Sequence, residues 1–117
     1  MMPRFTDWRM IANRLEWYDA EFDYDGPACY ELGTGHSRTQ VTVRYVGETS
    51  NEKARITLYA RGGSHISHHI DSWLRKGYNL YYRGMALPSK KAAKELQDRL
   101  LEGYDYDWNT VGQGEEY

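Results

Sequence analysis

Two short β-prone runs, residues 28–32 and 40–46, flank Gly33-Thr34-Gly35-His36-Ser37-Arg38, a loop of glycines and polar residues. That arrangement predicts a β-hairpin, and the rest of the chain has to be built around it. The second run has period two, with Val41, Val43 and Tyr45 on one face and Thr42 and Arg44 on the other. By the same parity Ala28, Tyr30 and Leu32 share a face of the first run. Paired on those faces, the strands turn Tyr30 and Tyr45 the same way.

The remaining punctuation places helices and one more strand. Trp8, Ile11, Ala12, Leu15, Tyr18 and Phe22 recur at helical spacing behind Thr6, predicting an N-terminal helix over about 6–20. Ser50 or Asn51 caps a helix running to about Arg61 and stopped by Gly62-Gly63. Ser64 caps another over 65–76, closed by Gly77. Residues 79–86 read as a third strand, and Pro88-Ser89 opens a helix over about 89–102 with Ala92, Ala93, Leu96 and Leu100 as its apolar stripe. The expected fold is α/β (α+β): a small three-stranded, mainly antiparallel sheet flanked by helices. Residues 1–25 form a helical extension packed on the core, 26–109 the domain proper, and 110–117 a disordered acidic tail.

Composition narrows the classes of function. At 117 residues the chain makes one domain with a modest core. Cys29 is the single cysteine, which excludes a disulfide framework and a cysteine zinc cluster. No apolar run is long enough to span a membrane, and no signal-peptide core opens the chain, so the expectation is a cytoplasmic protein with no membrane partner. The net charge of −2 hides a strong asymmetry. Residues 38–99 carry 12 basic against 5 acidic side chains, a net of +7, between acidic flanks of −4 and −5. A basic middle can present a phosphate-facing surface. Arg44, Arg55, Lys90 and Lys91 are its candidate substrate contacts.

Several side chains could carry chemistry, each with an ordinary structural alternative. A phenol is a poor base unless positive charge stabilises its anion, so Tyr30 and Tyr45 would need Arg61, His65 or a metal nearby. Otherwise they are cross-strand packing. Arg61 leaves a helix end beside two glycines and could clamp phosphate, or simply complement the helix dipole. His65 and His69 share a helical face at i, i+4, but no cysteine or carboxylate stands at a zinc-site spacing. Glu95 sits at the edge of an apolar stripe. A lone carboxylate suits Mg²⁺, though it could equally pair with Arg99 at i, i+4.

The order of these residues resembles the GIY-YIG nuclease family. That family has two short strand motifs, the first ending in Tyr and the second beginning with it. An Arg follows in the next helix, a Glu in a later helix and an Asn near the end. Here Ala28-Cys29-Tyr30 is similar to the first motif without its usual Gly-Ile, and Tyr45-Val46-Gly47 is close to the second. Arg61, then Glu95 within Ala92-Ala93-Lys94-Glu95-Leu96, then Trp108-Asn109 complete the order. The Arg61-x3-His65 step resembles that of restriction-type members. The resemblance implies a DNA endonuclease dependent on Mg²⁺ or Mn²⁺, with a homodimer as one option. It implies Tyr30 as base or water positioner, assisted by Tyr45 and His65. Arg61 would stabilise developing charge, Glu95 would hold the metal, and Gly47 and Asn109 would be structural supports. The alternatives are a non-catalytic nucleic-acid-binding module on the same scaffold and a protein-interaction domain using the acidic Tyr-Asp tail.

Overall fold

A computed structural model describes residues 5–13, 24–60 and 64–109. The expected hairpin is the centre of the sheet. Strand β2 (Ala28–Gly35) pairs antiparallel with β3 (Val41–Thr49), and on its other side with β4 (Asn79–Ala86). Both strands of the hairpin are longer than their apolar runs, because Gly33, Thr34 and Gly35 continue the ladder rather than turning. The connection is left to residues 36–40. Every residue of β2 is buried, as befits a strand covered on both faces.

Residues 9–12 correct the expected N-terminal helix. They form strand β1 (Arg9–Ala12), antiparallel to β4, so the sheet has four strands in the order β1-β4-β2-β3 rather than three. A register irregularity between Met10 and Ala12 leaves the consecutive residues Ile11 and Ala12 both buried. A regular strand would send them to opposite faces, so in sequence this adjacency imitates a helical stripe. The rest of that stripe, from Leu15 onward, and the acidic tail over 110–117 lie outside the described residues.

A second irregularity corrects the parity of β3. Leu32 pairs with Tyr45 but Gly33 pairs with Val43, so Arg44 is an extra residue bulged out of the ladder. Val43 therefore packs with Cys29 and Val46, while Tyr45 packs with Tyr30 and Leu32 on the opposite face. Tyr30 and Tyr45 do face the same way, by way of the Leu32–Tyr45 pairing.

The helices follow their caps. Asn51 caps α1 (Glu52–Ala60), its Oδ1 accepting from the Ala54 amide at 3.0 Å. Helix α2 (Ser67–Arg75) starts later than its expected Ser64 cap. The Ser64 carbonyl accepts from the Ser67 amide, but no side chain caps the helix. Gly77, at φ +91°, closes it with the left-handed turn that glycine permits. Ser89 Oγ caps α3 (Lys90–Gly103) by accepting from the Ala92 amide at 3.0 Å. A short 3₁₀ turn, Asp107–Asn109, follows.

Two cores sandwich the sheet. On one face Tyr30, Leu32 and Tyr82 pack with Ile56, Tyr59 and Ala60 of α1, Ile70 and Leu74 of α2, and Trp108. On the other, Cys29 and Val46 pack with Tyr106 and with Leu96, Leu100 and Leu101 of α3. This second face also holds the buried Glu31, whose carboxylate accepts from Arg83 Nε at 2.8 Å and from the Tyr106 hydroxyl at 2.5 Å. The pairing leaves neither carboxylate oxygen unsatisfied, as a buried charge demands.

Candidate active site

Tyr30 projects from the most buried strand, and its ring is enclosed on all sides. The rings of Tyr59, Tyr82 and Tyr45 lie 5.6, 5.9 and 6.3 Å from it, centroid to centroid. Its hydroxyl shares a 2.7 Å hydrogen bond with the Tyr59 hydroxyl, and the Arg55 guanidinium also reaches both phenols. Burial pushes the Tyr30 hydroxyl well above its ordinary pKa, and the neighbouring Tyr45 adds to that rise. Arg55 and Tyr59 oppose it only in part. At neutral pH Tyr30 is a protonated phenol inside the protein. It can share a hydrogen bond with Tyr59 and help orient Arg55, and its side chain is fully buried.

Gly47 makes that burial geometrically feasible. It lies opposite Tyr30 in the ladder, and a Cβ there would collide with the Tyr30 ring and hydroxyl. The Tyr-x-Gly spacing thus serves the first tyrosine, by giving it a floor of bare backbone.

The half-exposed edge of the aromatic cluster has different chemistry. Tyr45 Oη lies 3.3 Å from His65 Nε2, with the two rings edge to face. Burial lowers the His65 pKa from its ordinary 6.5, and the positive charges of Arg55 and His68 lower it further. A neutral imidazole beside a phenol can take up a proton. His69 is shifted the same way, by burial and His68 with Asp107 opposing, and it stacks on Trp108. These two shifts have a definite sign for stability. The unfolded chain binds the histidine protons more readily, so their contribution is intact above pH 6.5 and is lost as pH falls through the lower folded values. Melting temperature should fall between about pH 7 and about pH 5 in wild type, and by less in a His65→Asn, His69→Asn double variant.

Helix α1 supplies Arg55, a candidate substrate contact from the sequence, together with two side chains, Glu52 and Tyr59, that the sequence alone did not single out. Glu52, Arg55 and Tyr59 recur at i, i+3 and i+7, all on the face turned to the sheet. Glu52 is buried and accepts a short hydrogen bond from Tyr82, over Gly84. The helical spacing of Arg55 and Tyr59 was legible. Their convergence on Tyr30 depends on the helix packing across β2, which local pattern does not encode.

Asn109 clamps the edge strand. Its Oδ1 accepts from the Val46 amide at 2.9 Å and its Nδ2 donates to the Val46 carbonyl at 3.0 Å, so one side chain mimics a neighbouring strand. Among the basic residues, Arg44 donates to Thr34 Oγ1 at 3.0 Å and pairs with Asp107 at 2.5 Å. Lys90 pairs with Glu48 at 2.7 Å on the α3 side of the sheet, and the neighbouring Lys91 is exposed. Arg61 lies outside the described residues.

Glu95 stands apart. It is exposed on α3, the helix that covers the sheet face opposite Tyr30. It does not pair with Arg99; the ion pair on that helix is Lys94–Asp98 at 3.4 Å. Among the described residues no group of three His, Cys, Asp or Glu side chains could enclose a metal. Glu95 by itself offers one exposed carboxylate, so a divalent ion there would have to take its other ligands from water and substrate.

Comparison with known proteins agrees with this architecture. The model of the GIY-YIG domain-containing proteins matches residues 68–116. Protein EFFECTOR OF TRANSCRIPTION 3 of Arabidopsis thaliana is 30% identical over 128 residues, which is 96% of this chain and 48% of that protein. Protein EFFECTOR OF TRANSCRIPTION 2 of the same plant is 26% identical over 118 residues, 76% of this chain and 24% of that protein. The chain thus spans about half the length of the first relative and about a quarter of the second. No solved structure matches it. The domain-model match over residues 68–116, together with an antiparallel sheet flanked by three helices, makes the chain similar to GIY-YIG domain-containing proteins.

Proposed function

We propose that this domain binds DNA and hydrolyses its phosphodiester bonds, with Tyr45 and His65 as the acid–base pair. The observation that carries this reading is the 3.3 Å contact between a half-exposed phenol and a half-exposed, neutral imidazole, next to the Arg55 guanidinium. A water oxygen would bond to phosphorus while its proton passes to His65, directly or through the Tyr45 hydroxyl. The bond to the leaving oxygen breaks, and that oxygen takes its proton from solvent. Arg55, with Arg61, would face the negative charge that develops on the phosphoryl oxygens. Tyr30 and Tyr59 position Arg55 by fixing its hydrogen-bond partners. A divalent ion bound to the phosphate would add positive charge there; Glu95 rides on the helix that covers the opposite face of the sheet and has no part in this step. Incubation with supercoiled, linear and branched DNA, with and without Mg²⁺, tests the reading; intact DNA under every condition sinks it.

Glu95→Ala should leave both Mg²⁺-dependent cleavage and the melting temperature near wild type, since the side chain is exposed, unpaired among the described residues and on the face of the sheet opposite Tyr45. Loss of cleavage with an unchanged melt would put Glu95 in the site. DNA binding should weaken steeply with salt, with a log–log slope of about −0.9 per phosphate neutralised, as the +7 middle segment releases counterions. A flat salt response would favour a protein partner instead.

A non-catalytic nucleic-acid-binding role is the second reading. It is favoured by the placement of Glu95 on the far side of the sheet, and it accords with relatives named as effectors of transcription. Salt-dependent DNA binding without cleavage would select it.

A further inference from the structure

Away from the tyrosine cluster, one end of the sheet carries a run of stacked rings and cations that the reading above does not use. His36, exposed in the connection between β2 and β3, stacks on Tyr78 at 4.2 Å and 28°. Tyr78 meets Trp73 of α2 edge to face at 4.9 Å. Arg44 and Lys76 each lie over the Trp73 ring, 4.0 and 4.5 Å from its centroid. The register explains the assembly. Gly35 pairs with Asn79, so the end of β2 delivers His36 beside Tyr78, and the tight close of α2 at Gly77 folds Trp73 and Lys76 back over it.

We propose that this ladder is a stacking platform for unpaired nucleotides, with the outer face of His36 receiving a base. Three features favour nucleotides as the occupant. The His36 imidazole is planar, exposed and nearly parallel to Tyr78, so its outer face continues the stack on which a base can lie. The charge around it is basic: Arg38 in the same turn and Arg75 and Lys76 at the end of α2 are all exposed. Asp107, which approaches the ladder through Arg44, is engaged in an ion pair with it. Aromatic faces with flanking cations bind single strands with little sequence preference, because every base has a π-face. Paired bases offer no such face. The platform deepens the nucleic-acid reading above and rests on it: the domain would engage DNA or RNA where strands are open.

The test measures binding of labelled oligothymidylate, oligouridylate and a duplex, each about 12 nucleotides long, to the whole chain in EDTA by fluorescence anisotropy. Wild type should bind the single strands at least about tenfold more tightly than the duplex, and the tighter of the two names the sugar it reads. His36→Ala and Tyr78→Leu should each weaken single-strand binding by roughly five- to 100-fold, with an unchanged thermal melt. Tyr78→Leu keeps an apolar side chain against Trp73, so His36→Ala and Tyr78→Leu together separate stacking from folding. Equal affinity for duplex and single strands overturns the platform, as do wild-type affinities in both variants. The outcome is independent of the cleavage assay. Single-strand binding without hydrolysis upholds the platform and sinks the nuclease reading, whereas hydrolysis by a protein indifferent to unpaired strands does the reverse.

Discussion

Tyr30→Ala should cost about 3–5 kcal/mol of folding stability, the usual range for deleting a large buried ring. Tyr30 is fully buried on the central strand, between Tyr45, Tyr59 and Tyr82, and its loss leaves a cavity lined by three other phenol rings. It also strips the Tyr59 hydroxyl of its 2.7 Å partner. Domains of this size hold only about 5–15 kcal/mol in total, so denaturant midpoint and melting temperature should both drop sharply. Tyr30→Phe should cost far less, about 1–2 kcal/mol, because the ring remains and Arg55 still reaches the Tyr59 hydroxyl. The pair of variants therefore divides packing from hydrogen bonding. A Tyr30→Ala protein that melts with wild type would mean that the ring is not the centre of this core.

The largest effect on activity is expected at the exposed edge of the same cluster. His65→Ala should reduce DNA cleavage by roughly 10²-fold or more, the usual scale for removing a general base. Tyr45→Phe should reduce it as well, since the hydroxyl that meets His65 at 3.3 Å is gone while the ring stays packed. The sign of the pH dependence follows from the environment. Burial and the charges of Arg55 and His68 favour neutral imidazole, so the acid limb of the rate profile should fall below the ordinary histidine value of 6.5. Above it, His65 stays competent to accept a proton. Arg55→Met should move that limb back toward 6.5, because one of the charges holding His65 neutral is removed. A profile with no acid limb in wild type, or His65→Ala cleaving at the wild-type rate, would take the histidine out of the mechanism.

Some of the site could be read directly along the chain. Asn51, Ser89 and Gly77 sit where capping chemistry puts them, and they delimit α1, α3 and the end of α2. The third strand of the sequence reading, 79–86, coincides with β4. The Tyr45–His65 contact was foreshadowed by the family order, as was the late Asn that ties down Val46. Strand β1 was not legible, because its bulge buries Ile11 and Ala12 together and so imitates a helix. Nor was the face of Val43, since one bulged residue at Arg44 inverts the alternation on either side of it. Tyr59 reads as one more apolar position on an amphipathic helix, and nothing local says that its hydroxyl meets Tyr30.

The sequence by itself determined the central hairpin, the caps of α1 and α3, the basic middle between acidic ends, and an order of residue types similar to the GIY-YIG family. Those properties depend on spacing, capping and composition, which act over a few residues. The tertiary structure decided which of the tyrosines is buried and which stays at the edge. Packing α1 across β2 encloses Tyr30 with Tyr59 and Arg55 and holds it as a neutral phenol, while Tyr45 and His65 stay at the edge with access to solvent. It also decided that Glu95 rides on the opposite face of the sheet from Tyr30. Burial sets the cost of ionising each group, and burial is a property of how the layers stack rather than of any stretch of chain.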